Sequence, residues 1–138
     1  MKSYVYTIMT LSKANAYNYK YQYLNVEPNH ERLQDCVIRA ITLATAIPYD
    51  DVVEMLYKNG NEHQCEEICL TCYEKLLDEL KYIKRDGHGL RVGDIAFLYP
   101  HKVLLIRMEG HLTCSIDGCI YDIWDCTNEV AYCYWIIE

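Results

Sequence analysis

The sequence predicts one α+β domain across residues 1–138, with helices first and an antiparallel sheet after them. Three observations predict it. Apolar residues recur at helical spacing between Asp35 and Tyr82. Beyond residue 102 they fall in short runs of strand length, rich in Val, Ile, Leu and Tyr. Asp117-Gly118 divides two of those runs, a strong signal for a tight hairpin turn.

At the amino-terminal end, Met1-Lys2 precedes an apolar stretch, and Ala14-Asn15-Ala16 imitates a leader cleavage site. Thr7, Thr10 and Ser12 dilute that stretch. A strand over residues 3–11, with Tyr4, Tyr6 and Ile8 on one face, fits better. A second strand is expected over 17–24, where Tyr17, Tyr19, Tyr21 and Tyr23 share a face. Residues 26–30 read as a loop.

The first helix runs from about Asp35 to Thr45. Asp35 is the expected N-cap, which puts Cys36 at the first helical position. Val37, Ala40, Ile41 and Ala44 form its apolar face, and Pro48 lies beyond its end. A second helix begins at Asp50 or Asp51, and Gly60 is its expected stop. A third is expected over 62–82, with Cys65, Cys69, Cys72, Leu76 and Leu80 in one stripe. Residues 85–89 read as a turn and 93–99 as a short helix before Pro100. Strands are then expected at 102–108, 111–116, 119–124 and 130–137.

Half of the chain is apolar, so a core without staples is within reach. The net charge is −7, with no block of Lys or Arg, which argues against nucleic acid or an anionic membrane as the main partner. No apolar run has the length of a membrane span. The eight Cys fall at helix- and strand-face spacings, where a free thiol acts as a small hydrophobe. They read as mostly reduced packing residues of a cytoplasmic protein. Cys65-x-x-x-Cys69-x-x-Cys72 has the spacing of an iron–sulfur site, and His63 beside it invites a zinc reading. A straight helix would spread those sulfurs along its axis, so a core stripe is expected there, with no metal and no cofactor.

Cys36 and His111 carry the functional signal. The partial positive charge and free N–H groups of a helix start favour a thiolate at Cys36, and Arg39 one turn on adds to the effect. Of the five His, only His111 opens a confident strand, where a base can be held rigidly. The orienting carboxylate is Asp122 or Asp125, and hairpin register decides. With the Asp117-Gly118 loop as a two-residue turn, His111 faces Trp124 and Asp122 shares its sheet face. With a bulge at Gly118, His111 faces Ile123 and Asp125 shares its face.

Asp35-Cys36-x-x-Arg39-Ala40, Gly110-His111-Leu112-Thr113 and Tyr121-Asp122-x-Trp124-Asp125 together resemble small phage and bacterial proteins described as papain-like cysteine peptidases. The resemblance covers about residues 25 to 135. It implies a papain-like fold, with the Cys36 helix packed on a sheet bearing His111, and it favours Asp125 as the third residue. Papain-like enzymes also place a Gln some residues before the Cys. Here that spacing falls on His30, so Asn29 beside it and Gln34 nearer the thiol are the candidate oxyanion residues, together with the Cys36 N–H. The expected function is hydrolysis of a peptide or isopeptide bond in a protein or peptide substrate through an acyl-thioester. Two alternatives use the same scaffold: an inactive binding module, such as a phage protein acting on a host protein in the host cytoplasm, and a transglutaminase-like acyltransferase.

Overall fold

Residues 19–32, 34–66 and 68–137 are described by a computed structural model. The elements are β1 (Lys20–Tyr23), α1 (Cys36–Thr45), α2 (Tyr49–His63), α3 (Leu70–Glu79), β2 (Ile83–Asp86), α4 (Val92–Leu98), β3 (Val103–Met108), β4 (His111–Ile116), β5 (Cys119–Asp122) and β6 (Ala131–Ile136). The strands form one sheet in the order β1-β5-β4-β3-β6-β2. The fold is α+β, as the order of signals along the chain predicts. The expected strand at 3–11 and the leader-like segment lie outside the described residues.

Alternation along the strands deals apolar residues to both faces of the sheet. On one face Leu105, Leu112, Cys114 and Trp135 pack under α1, α2 and α3. On the other, Leu104, Ile106, Met108 and Ile120 pack under α4. Because both faces are covered, β3 reads as a nearly continuous apolar run, and β4 is buried along most of its length although its residues alternate in polarity. Ile41, Val52, Leu56 and Leu77 are buried completely or nearly so, and truncating any of the leucines there to Ala costs roughly 2–5 kcal/mol.

The β4–β5 turn is the tight hairpin. Asp117 and Gly118 have φ of 52° and 83°, the two positive values that a type I′ turn demands. Ile116 therefore pairs with Cys119, and Cys114 with Tyr121. Three expectations fail elsewhere. The sheet is mixed, because β1 pairs with β5 in parallel. The second helix runs through Gly60 to His63, and Gln64, at φ 55°, makes the left-handed cap with its N–H on the Gly60 carbonyl.

The third failure is the long helix over 62–82, which is broken between Gln64 and Cys69 before α3 begins at Leu70. Its cause is a disulfide between Cys65 and Cys72, whose Cα atoms are 5.6 Å apart. Seven residues of continuous helix would separate those atoms by about 10 Å at a 1.5 Å rise. That is beyond the reach of a disulfide, about 7 Å. The cysteine stripe is therefore not a single helical face, and this pair departs from the expectation of reduced thiols. Cys36, Cys69, Cys114, Cys119, Cys126 and Cys133 are free. Among the described residues, no helix is long and apolar enough to cross a membrane.

Candidate active site

Glu27 shapes the approach to α1. Its carboxylate accepts from the backbone N–H groups of Asn29 (3.0 Å), Glu31 (2.6 Å) and Arg32 (3.4 Å). Those bonds, Asn29's first, hold its pKa below the ordinary carboxylate value. Gln34 then turns the chain with φ at 56°, a conformation few non-glycine residues adopt. Cys36 follows as the first residue of α1. Asp35 does not cap that helix, contrary to expectation. Its buried carboxylate accepts instead from Arg39 Nε (2.8 Å) and from the Tyr49 hydroxyl (2.8 Å). The first turn of α1 thus has no side-chain cap, and its positive end faces Cys36 unneutralised.

His111 opens β4, and its Nε2–H donates to Asp122 Oδ2 at 2.7 Å. The same oxygen accepts from the Thr113 hydroxyl at 2.6 Å. The other oxygen accepts from Arg39 Nη1 (3.0 Å) and from the Ile123 N–H (2.7 Å). Trp124 stacks edge-on against the imidazole, ring centroids 5.1 Å apart. With Nε2 committed to the carboxylate, Nδ1 is the nitrogen left for the Cys36 sulfur, which lies close enough for the imidazole and the Leu112 N–H to favour its thiolate.

The electrostatics follow from these contacts. Burial alone would push the Cys36 thiol up. The His111 and Leu112 hydrogen bonds and the charges of His111 and Arg39 outweigh it and hold the thiol below its ordinary value. Burial alone would lower His111. Its bonds to Asp122, Cys126 and Cys36 win, and its pKa is raised to about 11. Asp122 is held below the usual carboxylate range against its own burial by His111, Thr113 and Arg39. The arrangement favours a thiolate beside an imidazolium, with the carboxylate behind it.

The sulfur and the imidazole line one cleft of about 580 Å³. Gln34 lines it too, while Asn29 is exposed on the Glu27 turn and lies outside the lining. Asp125, which the resemblance favours, is turned away. Its Oδ1 accepts from the Thr127 N–H (3.2 Å) and hydroxyl (2.6 Å). The two-residue turn fixes the register that puts Asp122, and not Asp125, on the imidazole. Thr113 and the Asp35–Tyr49 pair were not legible as site residues, because neither has a spacing that marks it. Arg39 was legible through its helical spacing from Cys36.

Ligand atoms of His111, Asp122 and Cys126 lie close enough together to share a cation, as do those of Glu62, His63 and Glu79. In the first set both Asp122 oxygens already accept from side chains and backbone, so a cation would have to displace those donors. Comparison with protein-family models, with curated proteins and with solved structures returns no match to this chain.

Proposed function

We propose that this protein is a papain-like cysteine hydrolase of peptide or isopeptide bonds. Cys36 is the nucleophile, His111 the proton carrier and Asp122 the orienting carboxylate. One observation carries the reading: a helix-start thiol meets an imidazole that is itself 2.7 Å from a buried carboxylate, at the wall of an open cleft. The resemblance of the three sequence motifs supports the same reading.

The thiolate attacks the acyl carbon and forms the C–S bond, while the carbonyl electrons move to oxygen. The Cys36 N–H and the Gln34 side-chain amide, on the same cleft wall, supply the oxyanion donors. One such donor is worth about 3 kcal/mol in other enzymes. Collapse breaks the C–N bond, and the departing amine takes the proton from His111. Neutral His111 then removes a proton from water as it attacks the thioester. Collapse breaks the C–S bond, releases the acid and restores thiolate and imidazolium.

Incubation of a mixed peptide pool with wild type and with Cys36→Ala tests this. New peptide termini made by wild type alone support it, and amine adducts on the released acyl groups mark transfer to amines. Identical fragment patterns from both proteins overturn it in favour of a non-catalytic binding module.

A further inference from the structure

The walls of the cleft specify more than a reaction. Its lining includes Leu70 and Tyr73 of α3 together with Ile123 and Trp124, which follow β5. Ile123 and Trp124 are 41% and 43% exposed, large apolar side chains left open to solvent at the reacting sulfur.

The charge of the lining is the more telling feature. The chain has 20 Asp and Glu against 13 Lys and Arg, yet no Asp or Glu is among the described residues that line the cleft. Two arginines are. Arg39 is neutralised by Asp35 and Asp122. Arg107 is not: its guanidinium lies over the Tyr132 ring, 5.5 Å from the centroid, and it has no ion pair among the described residues. Register puts Arg107 opposite Leu112, on the sheet face that packs under α1, the helix that begins with Cys36. Arg107 also lines the neighbouring hollow of about 410 Å³, with Lys84 and Asp86, so the two depressions meet at its side chain.

We propose that the substrate is a peptide segment carrying a carboxylate close to the scissile acyl group, bound by Arg107, with an apolar side chain next to it between Tyr73 and Trp124. A guanidinium can hold a carboxylate through two parallel bonds, which gives orientation as well as attraction. This inference rests on the hydrolase reading above and adds the substrate class to it.

Cleavage of a proteome-derived peptide library, read by mass spectrometry, tests it in wild type, Arg107→Gln and Arg107→Lys. Asp or Glu should be enriched at one position flanking the cut, with an apolar residue beside it. The enrichment should be about tenfold over Asn or Gln, the scale of one charge-assisted pair. It should vanish in Arg107→Gln and weaken without vanishing in Arg107→Lys, which keeps the charge and loses the paired bonds. Cuts that cluster near free carboxyl termini, and disappear when those termini are amidated, identify the carboxylate as the terminal one and support the same Arg107 contact. Cleavage with no acidic preference, a preference that survives Arg107→Gln, or a library left uncut overturns the proposal. Alkylation of Cys36 by iodoacetamide separates the two readings: fast alkylation leaves the hydrolase reading standing, and slow alkylation removes both.

Discussion

Arg39 of α1 and Asp122 at the end of β5 are joined by an ion pair of 3.0 Å, with both side chains buried. This contact ties the helix that begins with the thiol to the strand end that orients the imidazole. Asp35 holds the other side of the same guanidinium at 2.8 Å. A buried cation between two carboxylates is satisfied on both sides, which is the condition under which burial of charge is tolerated.

Removing Arg39 should therefore destabilise more than it disarms. Arg39→Met leaves the buried Asp35 carboxylate without a counter-charge and Asp122 with His111 alone. The expected cost is about 3–5 kcal/mol, read as a fall in the urea midpoint. A loss below about 0.5 kcal/mol, the level of an ordinary surface change, would contradict the clasp.

Asp122 and Asp125 should separate cleanly. Asp122→Asn removes the carboxylate that fixes His111, and peptide cleavage should fall by roughly 10³–10⁴. Asp125→Asn breaks only the local turn to Thr127 and should stay near wild type in the same assay. Equal losses in the two variants would contradict the assigned register.

The His111–Asp122 pair predicts a direction for stability against pH. In a Cys36→Ala background, Asp122 still raises His111 above its ordinary value of 6.5. The protonated imidazole then stabilises the fold fully below that value, and the contribution is lost as pH rises through the raised value. Asp122 acts in the opposite sense. Its contribution is present above its ordinary value of 3.8 and is lost as pH falls through the lowered one. Urea midpoints of Cys36→Ala and Cys36→Ala/His111→Gln should differ most at mildly acidic pH and converge in alkali. A gap that widens in alkali would contradict the pairing.

The Cys65–Cys72 disulfide closes a short loop that contributes Ile68 and Leu70 to the cleft. Denaturing alkylation without reductant should add six carbamidomethyl groups, one for each free thiol, to the chain's eight Cys. Cys65→Ala should cost about 2–3 kcal/mol, the chain-entropy value for a loop of that size. Eight adducts would contradict the bridge.

Much of this was legible in the sequence. The β3–β6 half reads directly, because each strand is a separate apolar run and Asp117-Gly118 fixes one turn. Cys36 and His111 stand out by position, one at a helix start and the other at a strand start. The choice between Asp122 and Asp125 was not legible. A one-residue slip exchanges them, and only the paired positive φ angles of Asp117 and Gly118 decide it. Cys65 and Cys72 match a helical face as well as they match a bridge, so periodicity hid the break that the disulfide enforces. The parallel β1–β5 pair and the placement of Arg107 at the cleft are long-range facts with no local pattern to announce them.

The decisive experiment is the rate of Cys36 alkylation by iodoacetamide as a function of pH, with the adduct mapped by mass spectrometry in wild type and His111→Ala. Wild-type Cys36 should react at mildly acidic and neutral pH, well ahead of Cys69 and Cys119, and His111→Ala should move its reaction to alkaline pH. A wild-type Cys36 whose reactivity rises only near the ordinary thiol value of about 8.5, unchanged by loss of His111, would contradict the pairing of thiolate and imidazolium.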